Sequence, residues 1–327
     1  MVSNTALPSV GVAITRANHA LVCAFRAESV RFGQAGSMKT PRAAAALVAV
    51  LVLSGCAAQP GTAAPVATER AAPAAAPAGA VRLPPPGVVD YQLGGAYTPP
   101  EGVVGVSRDS SDDPAPGLYS ICYVNGFQTQ PADREEWLTD HADLVLQNDG
   151  EPVIDENWPD ELIVDTSTAD KRDRIADIVG VTLDRCAVGG FDAVEIDNLD
   201  SYSRSGGALT EDDAIALATL FATRVHAAGL AIAQKNSAEL GERGRDEAGF
   251  DFAVAEECYR FYECGAYSDV YGSHVIDIEY SDDLRGEFAD ACADPAAATS
   301  TILRDRDLTT PSSPDYVFDA CRGTHSY

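Results

Sequence analysis

The sequence is poor in basic residues, and this limits what the protein can bind. Its 327 residues include 23 Lys and Arg against 50 Asp and Glu, for a net charge of −27 at pH 7. Nucleic acid is therefore an unfavourable partner, because its phosphates require a basic surface. A cationic substrate would be attracted, although an acidic surface can also serve only to keep an exported protein soluble.

Motifs for nucleotides and metals are also missing. No Gly-x-Gly-x-x-Gly or phosphate loop follows the first predicted strand, which argues against a nucleotide-binding fold. No Cys-x-x-Cys pair occurs, and the acids of 195–200 lack the spacing of a calcium loop. The histidines after residue 56 are His141, His226, His274 and His325. We therefore expect no metal and no organic cofactor, which also argues against a metal-dependent deacetylase.

The apolar run near the N-terminus is too short to span a bilayer in the mature protein. Met38 begins a basic stretch, residues 43–53 are apolar, and Leu53-Ser54-Gly55-Cys56 follows. This pattern predicts a lipoprotein signal peptide over 38–56 with Cys56 as the lipid-modified residue. An ordinary secretory signal with an incidental Cys56 is the alternative. We expect residues 1–37 to precede the true start, and the protein to be exported and lipid-anchored to the outer face of the cell membrane, or secreted.

Residues 57–86 are rich in Ala and Pro and carry almost no large apolar side chains. They are predicted to form a disordered tether, because such a segment cannot bury enough surface to fold. The remaining segment, 87–327, has about the length of one barrel domain, and we expect a monomer.

Predicted strands and helices alternate along 87–327, which is typical of an α/β protein with a parallel sheet. About eight strands favour a closed (β/α)8 TIM-like barrel over an open doubly wound sheet. The polar stretch with Pro114 and Pro116 predicts that the helix after the second strand is missing. The predicted strands lie at 90–93, 103–106, 118–124, 191–197, 230–235, 250–256, 275–279 and 299–309. The predicted helices lie at 131–141, 169–186, 210–229 and 282–292, with a short one after 235.

Six cysteines follow the tether, and an even number in an exported protein predicts disulfides. Six cysteines allow many connectivities, so the sequence alone does not fix the pairs. We expect Cys258–Cys264, which would close a short loop, together with Cys122–Cys186 and Cys292–Cys321.

Acid and amide side chains end four successive predicted strands. Because the carboxyl ends of parallel strands meet at one face of a barrel, these side chains are predicted to line one cleft. The substrate-binding candidates are Glu195, Asn198, Asp200, Tyr202, Lys235, Asn236, Glu279 and Tyr280. Asp277, on the strand before Glu279, is also expected to face inward or to serve the barrel structurally.

Two carboxyls in one cleft suit the cleavage of a glycosidic bond. One protonates the leaving oxygen while the other attacks the sugar or activates a water. Asp197 is the expected nucleophile or base, and Glu256 the expected general acid. If Ala253 and Ala255 face the barrel interior, strand alternation would point Glu257 inward in place of Glu256, unless a bulge intervenes.

Several of these candidates also have a structural interpretation. Glu195 and Lys235 either contact sugar or form a buried ion pair at the top of the barrel. Asp200 either binds ligand or caps a turn. Tyr202 and Tyr280 are candidates to stack on a sugar ring, although Tyr202 is equally compatible with ordinary surface.

The sequence resembles glycoside hydrolase family 114, the endo-α-1,4-polygalactosaminidase-like TIM barrels. The matching pieces occur in the family's order over roughly 90–281. The Glu195-to-Asp200 segment and the Glu256-to-Cys258 segment are quite specific when taken together, and neither is specific alone. The pieces are 91–93, 121–123, 158–161, 191–202, 226–230, 234–236, 250–258, 263–264 and 278–280.

This resemblance implies that Asp197 and Glu256 form the catalytic pair. It implies an α-1,4-linked galactosamine polymer as substrate, which is a polycation when deacetylated. The sequence departs from the family in the missing helix after the second strand and at 124–128, so one rim of the cleft is remodelled. The alternative function is a non-catalytic polysaccharide-binding lipoprotein on the same barrel.

Overall fold

The computed structural model describes residues 81–321. The predicted segments 1–37 and 38–56, Cys56, and tether residues 57–80 lie outside the described residues. Within the segment predicted as tether, Val81 and Leu83 pack against apolar residues of the barrel. Arg82 forms an ion pair of 2.7 Å with Asp192. Folded structure therefore begins no later than residue 81.

Eight parallel strands form the predicted (β/α)8 TIM-like barrel, and a ninth strand pairs antiparallel with the eighth. The backbone N–H of Val89 donates to Ser300 Oγ at 2.9 Å, which brings the first strand beside the eighth and nearly closes the sheet. The strands are β1 Val88–Gln92, β2 Val103–Asp109, β3 Tyr119–Asn125, β4 Ala193–Asp197, β5 Ala231–Lys235, β6 Phe252–Glu256, β7 Val275–Tyr280, β8 Ser300–Arg304 and β9 Phe318–Ala320.

Helices cover the outside of the sheet from β3 onward. The predicted absence of a helix after β2 is confirmed, since a turn-rich loop joins β2 to β3. The helices are α1 Arg134–Asp140, α2 Ala169–Gly189, α3 Glu211–Ala227, α4 Cys258–Phe261, α5 Cys264–Tyr271 and α6 Phe288–Ala293. In the described part of the chain, none of these helices is long and apolar enough to cross a bilayer.

Local capping sets the ends of the two longest helices. Thr168 accepts a hydrogen bond from the backbone N–H of Lys171 at the start of α2, and Gly190 ends it in the left-handed conformation. Thr210 and Asp213 form a capping box at the start of α3. By contrast, α6 is shorter than the helix predicted over 282–292, because residues 281–287 form turns and bends before it begins.

Side chains alternate in direction along each strand, so the sheet carries one apolar layer inside the barrel and another outside it, against the helices. On β4, Val194 and Ile196 point outward and belong to the layer shared with α2 and α3. On β6, Phe252 and Val254 point into the barrel, where they meet inward residues of the other strands. Burying each of these large side chains stabilises the fold by about 1.5–3 kcal/mol.

The three expected disulfides are present. Cys122 on β3 bonds Cys186 of α2, Cys258 bonds Cys264 across the α4–α5 junction, and Cys292 of α6 bonds Cys321 after β9. The first closes a sequence separation of 64 residues, and the second a separation of 6. A longer loop loses more conformational entropy in the unfolded chain when it is cross-linked.

We therefore expect the Cys122→Ala/Cys186→Ala protein to lose more stability than the Cys258→Ala/Cys264→Ala protein. Loop entropy predicts losses of about 4 and about 2 kcal/mol in the free energy of unfolding. Urea unfolding of both variants under non-reducing conditions measures the difference. An equal or larger loss for the short loop would contradict the expectation.

Candidate active site

A cleft of about 770 Å³ opens at the carboxyl ends of the barrel strands. Seven of the sequence-predicted site residues line it, and they come from strand ends and the loops that follow. These residues are Asp197, Asn198, Asp200, Lys235, Asn236, Glu256 and Tyr280. Strand ends that are far apart in the sequence therefore converge on one cavity, as the barrel topology requires.

The ammonium group of Lys235 is the centre of the cleft floor. Its Nζ lies 3.2 Å from Glu195 Oε1, 3.3 Å from Asp197 Oδ1 and 3.3 Å from Glu256 Oε2. It also donates to the hydroxyl of Tyr91 at 3.0 Å. Burial works to lower the pKa of Lys235, but the neighbouring carboxylates outweigh burial and raise the pKa well above its usual value. Lys235 is thus a fixed cation shared by three acids.

Asp197 is held in its ionised form. Tyr123 Oη donates to Asp197 Oδ2 at 2.5 Å, and the backbone N–H of Asn198 donates to Oδ1 at 2.7 Å. Burial alone would raise the pKa of Asp197, but the charge of Lys235 and these hydrogen bonds lower it below its usual value. A carboxylate with this environment can act as a nucleophile or a base at neutral pH.

Glu256 faces Asp197 from β6, across Lys235. Because Phe252 and Val254 point into the barrel, Glu256 shares their side without a bulge. The premise that Ala253 and Ala255 face the interior is therefore wrong; both lie in the outer layer with the helices. The Tyr280 hydroxyl and Asn236 Nδ2 both donate to the Glu256 carboxyl, the latter at 3.2 Å.

Glu257 also lines the cleft, but as part of an ion pair. Its two oxygens each lie 3.0 Å from the guanidinium of Arg306. A bidentate contact of this kind neutralises the carboxylate and fixes its orientation. Glu257 is therefore committed to the loop after β8, while Glu256 remains directed at the cleft floor.

Glu195 lies beneath the cleft and is fully buried. It accepts hydrogen bonds from Tyr91 Oη at 2.6 Å and Ser107 Oγ at 2.8 Å, in addition to its contact with Lys235. Burial raises its pKa, although Lys235 acts in the opposite direction. Of its two sequence interpretations, the buried ion pair is the one observed.

A residue in the left-handed backbone conformation directly follows each of β4, β5 and β6. Asn198, Asn236 and Glu257 have φ of 64°, 48° and 62°. Such conformations cost roughly 1–3 kcal/mol for residues other than glycine and are concentrated at functional sites. Here they turn the chain sharply, immediately after Asp197, Lys235 and Glu256.

Two further predictions are corrected, since Tyr202 and Glu279 do not line the cleft. Tyr202 packs against the outer core, and its hydroxyl donates to Glu239 at 2.5 Å. Glu279 is fully buried on the outer face of β7, where it accepts from the backbone N–H of Tyr259 at 2.8 Å. Tyr280 lines the cleft, but its ring lies under the Arg306 guanidinium at 4.3 Å, so this face is not free to stack on a sugar.

The expectation that Asp277 faces inward is also wrong. Ile276 and Ile278 occupy the inward positions of β7, so Asp277 points outward, where it accepts from the backbone N–H of Cys258 at 3.1 Å. Asp277 lies close to the sulfurs of Cys258 and Cys264 in a group with metal-ligand spacing. Those sulfurs are joined in a disulfide and do not offer thiolates.

Sequence reasoning missed several residues that shape the cleft. Tyr91 and Tyr123 are inward residues of β1 and β3, and strand alternation could have found them. Glu161 and Trp158 lie in the long segment between β3 and α2, residues 126–168, where the sequence shows no periodicity that would predict which side chains face the cleft. Arg306 comes from the loop after β8, within the segment predicted as a strand.

A parallel barrel with two carboxyls facing each other at the ends of β4 and β6 is an arrangement that glycoside hydrolases use. The chain belongs to glycoside hydrolase family GH114, whose family model matches residues 70–326. The protein is accordingly a glycoside hydrolase by family. Such membership implies a polysaccharide substrate.

The chain is similar to solved structures. The crystal structure of Aspergillus fumigatus Ega3 in complex with galactosamine is 21% identical, covers 74% of this chain and 98% of its own, and gives a TM-score of 0.56. The glycoside hydrolase domain of PelA from Pseudomonas aeruginosa is 13% identical, covers 68% and 96%, and gives a TM-score of 0.46. No curated protein matches the sequence.

Replacing Lys235 by Met is expected to destabilise the protein by about 3–5 kcal/mol at pH 7, because it leaves buried carboxylates without their cation. The same change at Lys171, which pairs with Asp165 in a more exposed setting, is the control and should cost no more than about 1 kcal/mol. Urea unfolding measures both losses.

The difference in the free energy of unfolding between the wild type and the Lys235→Met protein should become smaller as the pH falls toward 4. In the wild type, the lowered pKa of Asp197 contributes stability above its unfolded pKa, and that contribution is lost on acidification. In the variant, the buried carboxyls have lost their cation, and burial raises their pKa values. Their ionised forms therefore destabilise the fold at pH 7, and this destabilisation disappears when they are protonated. A deficit that stays constant or grows between pH 7 and 4 would count against this assignment.

Proposed function

We propose that this protein hydrolyses an α-1,4-linked galactosamine-type polysaccharide by a two-carboxylate mechanism. Asp197 is the nucleophile or base, and Glu256 is the general acid that protonates the leaving oxygen. The observation that carries the proposal is the pair of contacts from Lys235 Nζ to Asp197 and Glu256, each 3.3 Å. These contacts hold both carboxyls at one spot on the cleft floor.

The charge of the cleft supports an amino-sugar polymer. Its acidic residues outnumber its basic residues, and a cleft of one sign concentrates ligands of the other. The acids are Asp109, Asp155, Glu161, Asp197, Asp200, Glu239, Glu256, Glu257, Glu263 and Asp307, and the bases are Arg204, Lys235 and Arg306. The fold shared with Ega3, whose crystal structure is a complex with galactosamine, agrees with this choice.

The mechanism divides the two acids by environment. Asp197 stays ionised beside Lys235 and Tyr123, which suits attack on the anomeric carbon. Glu256 is the more accessible carboxyl, with 27% of its side chain exposed against 17% for Asp197, and can reach a leaving oxygen in the open part of the cleft. Neither role calls for a metal or an organic cofactor.

The location of the protein is also part of the proposal. We propose that it is an exported monomer, lipid-anchored through Cys56, which would hold the catalytic domain at the outer face of the cell membrane beside extracellular polymer. The apolar run at 43–53 and the following Leu-Ser-Gly-Cys sequence support this location.

Asp197→Asn and Glu256→Gln are each expected to lower the release of reducing ends from α-1,4-oligogalactosamine by on the order of 10²–10⁴-fold. Asp160→Asn and Glu156→Gln make the same chemical changes at exposed positions outside the cleft and should retain activity. Circular dichroism and urea unfolding check that each variant folds. Near-normal activity in either cleft variant would remove that residue from the mechanism, and binding without hydrolysis by the wild type would favour a non-catalytic binder.

The carboxyl separation favours retention of anomeric configuration. Asp197 Oδ1 and Glu256 Oε2 each lie 3.3 Å from Lys235 Nζ, so these two oxygens are at most twice that distance apart, a bound that excludes all but the lower limit of the inverting range. Retaining enzymes separate the pair by about 5–5.5 Å and inverting enzymes by about 6.5–9.5 Å. Proton NMR of the first products should therefore detect the α-anomer, and initial formation of the β-anomer would contradict this prediction.

A further inference from the structure

Glu161 lies in the cleft wall beside Asp197, and the two-carboxylate mechanism does not use it. Its Oε2 accepts hydrogen bonds from Asn125 Nδ2 at 2.8 Å and Asn198 Nδ2 at 3.4 Å. Asn125 is the register partner of Asp197 between β3 and β4, and Asn198 follows Asp197 directly. These two amides therefore fix the Glu161 carboxyl next to the nucleophile.

In the described part of the chain, the Glu161 carboxylate is not in ion-pair contact with any cation. The cations that line the cleft form ion pairs with other acids. Arg204 pairs with Asp155 and Asp200. Lys235 pairs with Glu195, Asp197 and Glu256, and Arg306 pairs with Glu257 and Asp282. Within residues 81–321, Glu161 forms no ion pair, and its Oε1 receives no hydrogen bond. This oxygen is therefore available to a ligand in the cleft.

The environment of Glu161 makes a cationic ligand the favourable one. Burial, with the charges of Asp197 and Asp155, raises its pKa to about 7, although the hydrogen bond from Asn125 and the charge of Arg204 act against the shift. A carboxyl in this setting gains most from an incoming positive charge, which stabilises the ionised form. A neutral amide offers no such gain.

We propose that Glu161 is a specificity-determining residue that binds the ammonium group of the amino-sugar unit next to Asp197. The carboxylate selects free amines over N-acetylated units, because acetylation removes the positive charge and adds bulk at the same atom. This inference rests on the proposed function and adds to it the group that distinguishes deacetylated from acetylated polymer.

The test compares two oligomers of equal length, α-1,4-oligogalactosamine and its fully N-acetylated form. Isothermal titration calorimetry measures both dissociation constants at pH 7.5 in the Glu256→Gln background, which prevents hydrolysis. Adding Glu161→Gln should weaken binding of the free-amine oligomer by about tenfold or more and change binding of the acetylated oligomer by less than about twofold. Adding Glu156→Gln, an exposed change outside the cleft, should alter neither.

A pH series provides a second readout. At each pH from 7.5 to 5.5, the loss of free-amine oligomer binding caused by adding Glu161→Gln is measured in the Glu256→Gln background on the same oligomer, so titration of the sugar amine affects both proteins alike. This loss should shrink as the pH falls, because Glu161 becomes protonated. The assignment fails if the Glu161→Gln protein still prefers the free-amine oligomer as strongly as the protein without this change. It also fails if Glu161→Gln weakens binding of both oligomers equally.

Reducing-end assays separate this inference from the proposed function. If Glu161→Gln abolishes hydrolysis of both oligomers to the same extent, the residue acts in proton transfer and the specificity assignment fails. If the wild type binds free-amine oligomers through Glu161 but releases no reducing ends, the proposed hydrolysis fails while the amine site stands.

Discussion

The structure depends on one buried ammonium group. Lys235 is almost fully buried and touches three carboxylates that would otherwise repel one another at the centre of the barrel. Isolated charges in a protein interior are costly, so the arrangement is stable only because cation and acids are placed together and hydrogen-bonded. The same contact would serve the proposed chemistry, since it keeps Asp197 ionised and holds it close to Glu256.

Strand alternation decides which acids face the cleft. On β4, Glu195 and Asp197 point into the barrel, and on β6 the same holds for Glu256. On β7, Asp277 and Glu279 point outward and bind the backbone after β6. Acids of similar sequence context therefore divide into a cleft set and a supporting set, and the supporting set fixes the loop that follows Glu256.

The segment between β3 and α2, residues 126–168, forms the cleft wall beside Asp197. Its Glu161 reaches the site through Asn125 at the end of β3 and Asn198 after β4, so side-chain amides attach the wall to the ends of these two strands. With the cations of the cleft already paired, this wall carries negative charge toward the ligand. Specificity for an amine would then arise in a part of the chain that has little regular structure.

The sequence by itself determined the α/β alternation, the missing helix after β2, the disulfide candidates and the acids at strand ends. These are local properties, since periodicity, breaker residues and strand termini depend on neighbours along the chain. Only the tertiary structure decided that Glu256 faces the floor while Glu257 pairs with Arg306, that Glu279 points away, and that Glu161 joins the site. Those outcomes depend on which side chains of each strand point into the barrel and on contacts between residues far apart in the sequence. Neither follows from the pattern of neighbouring residues.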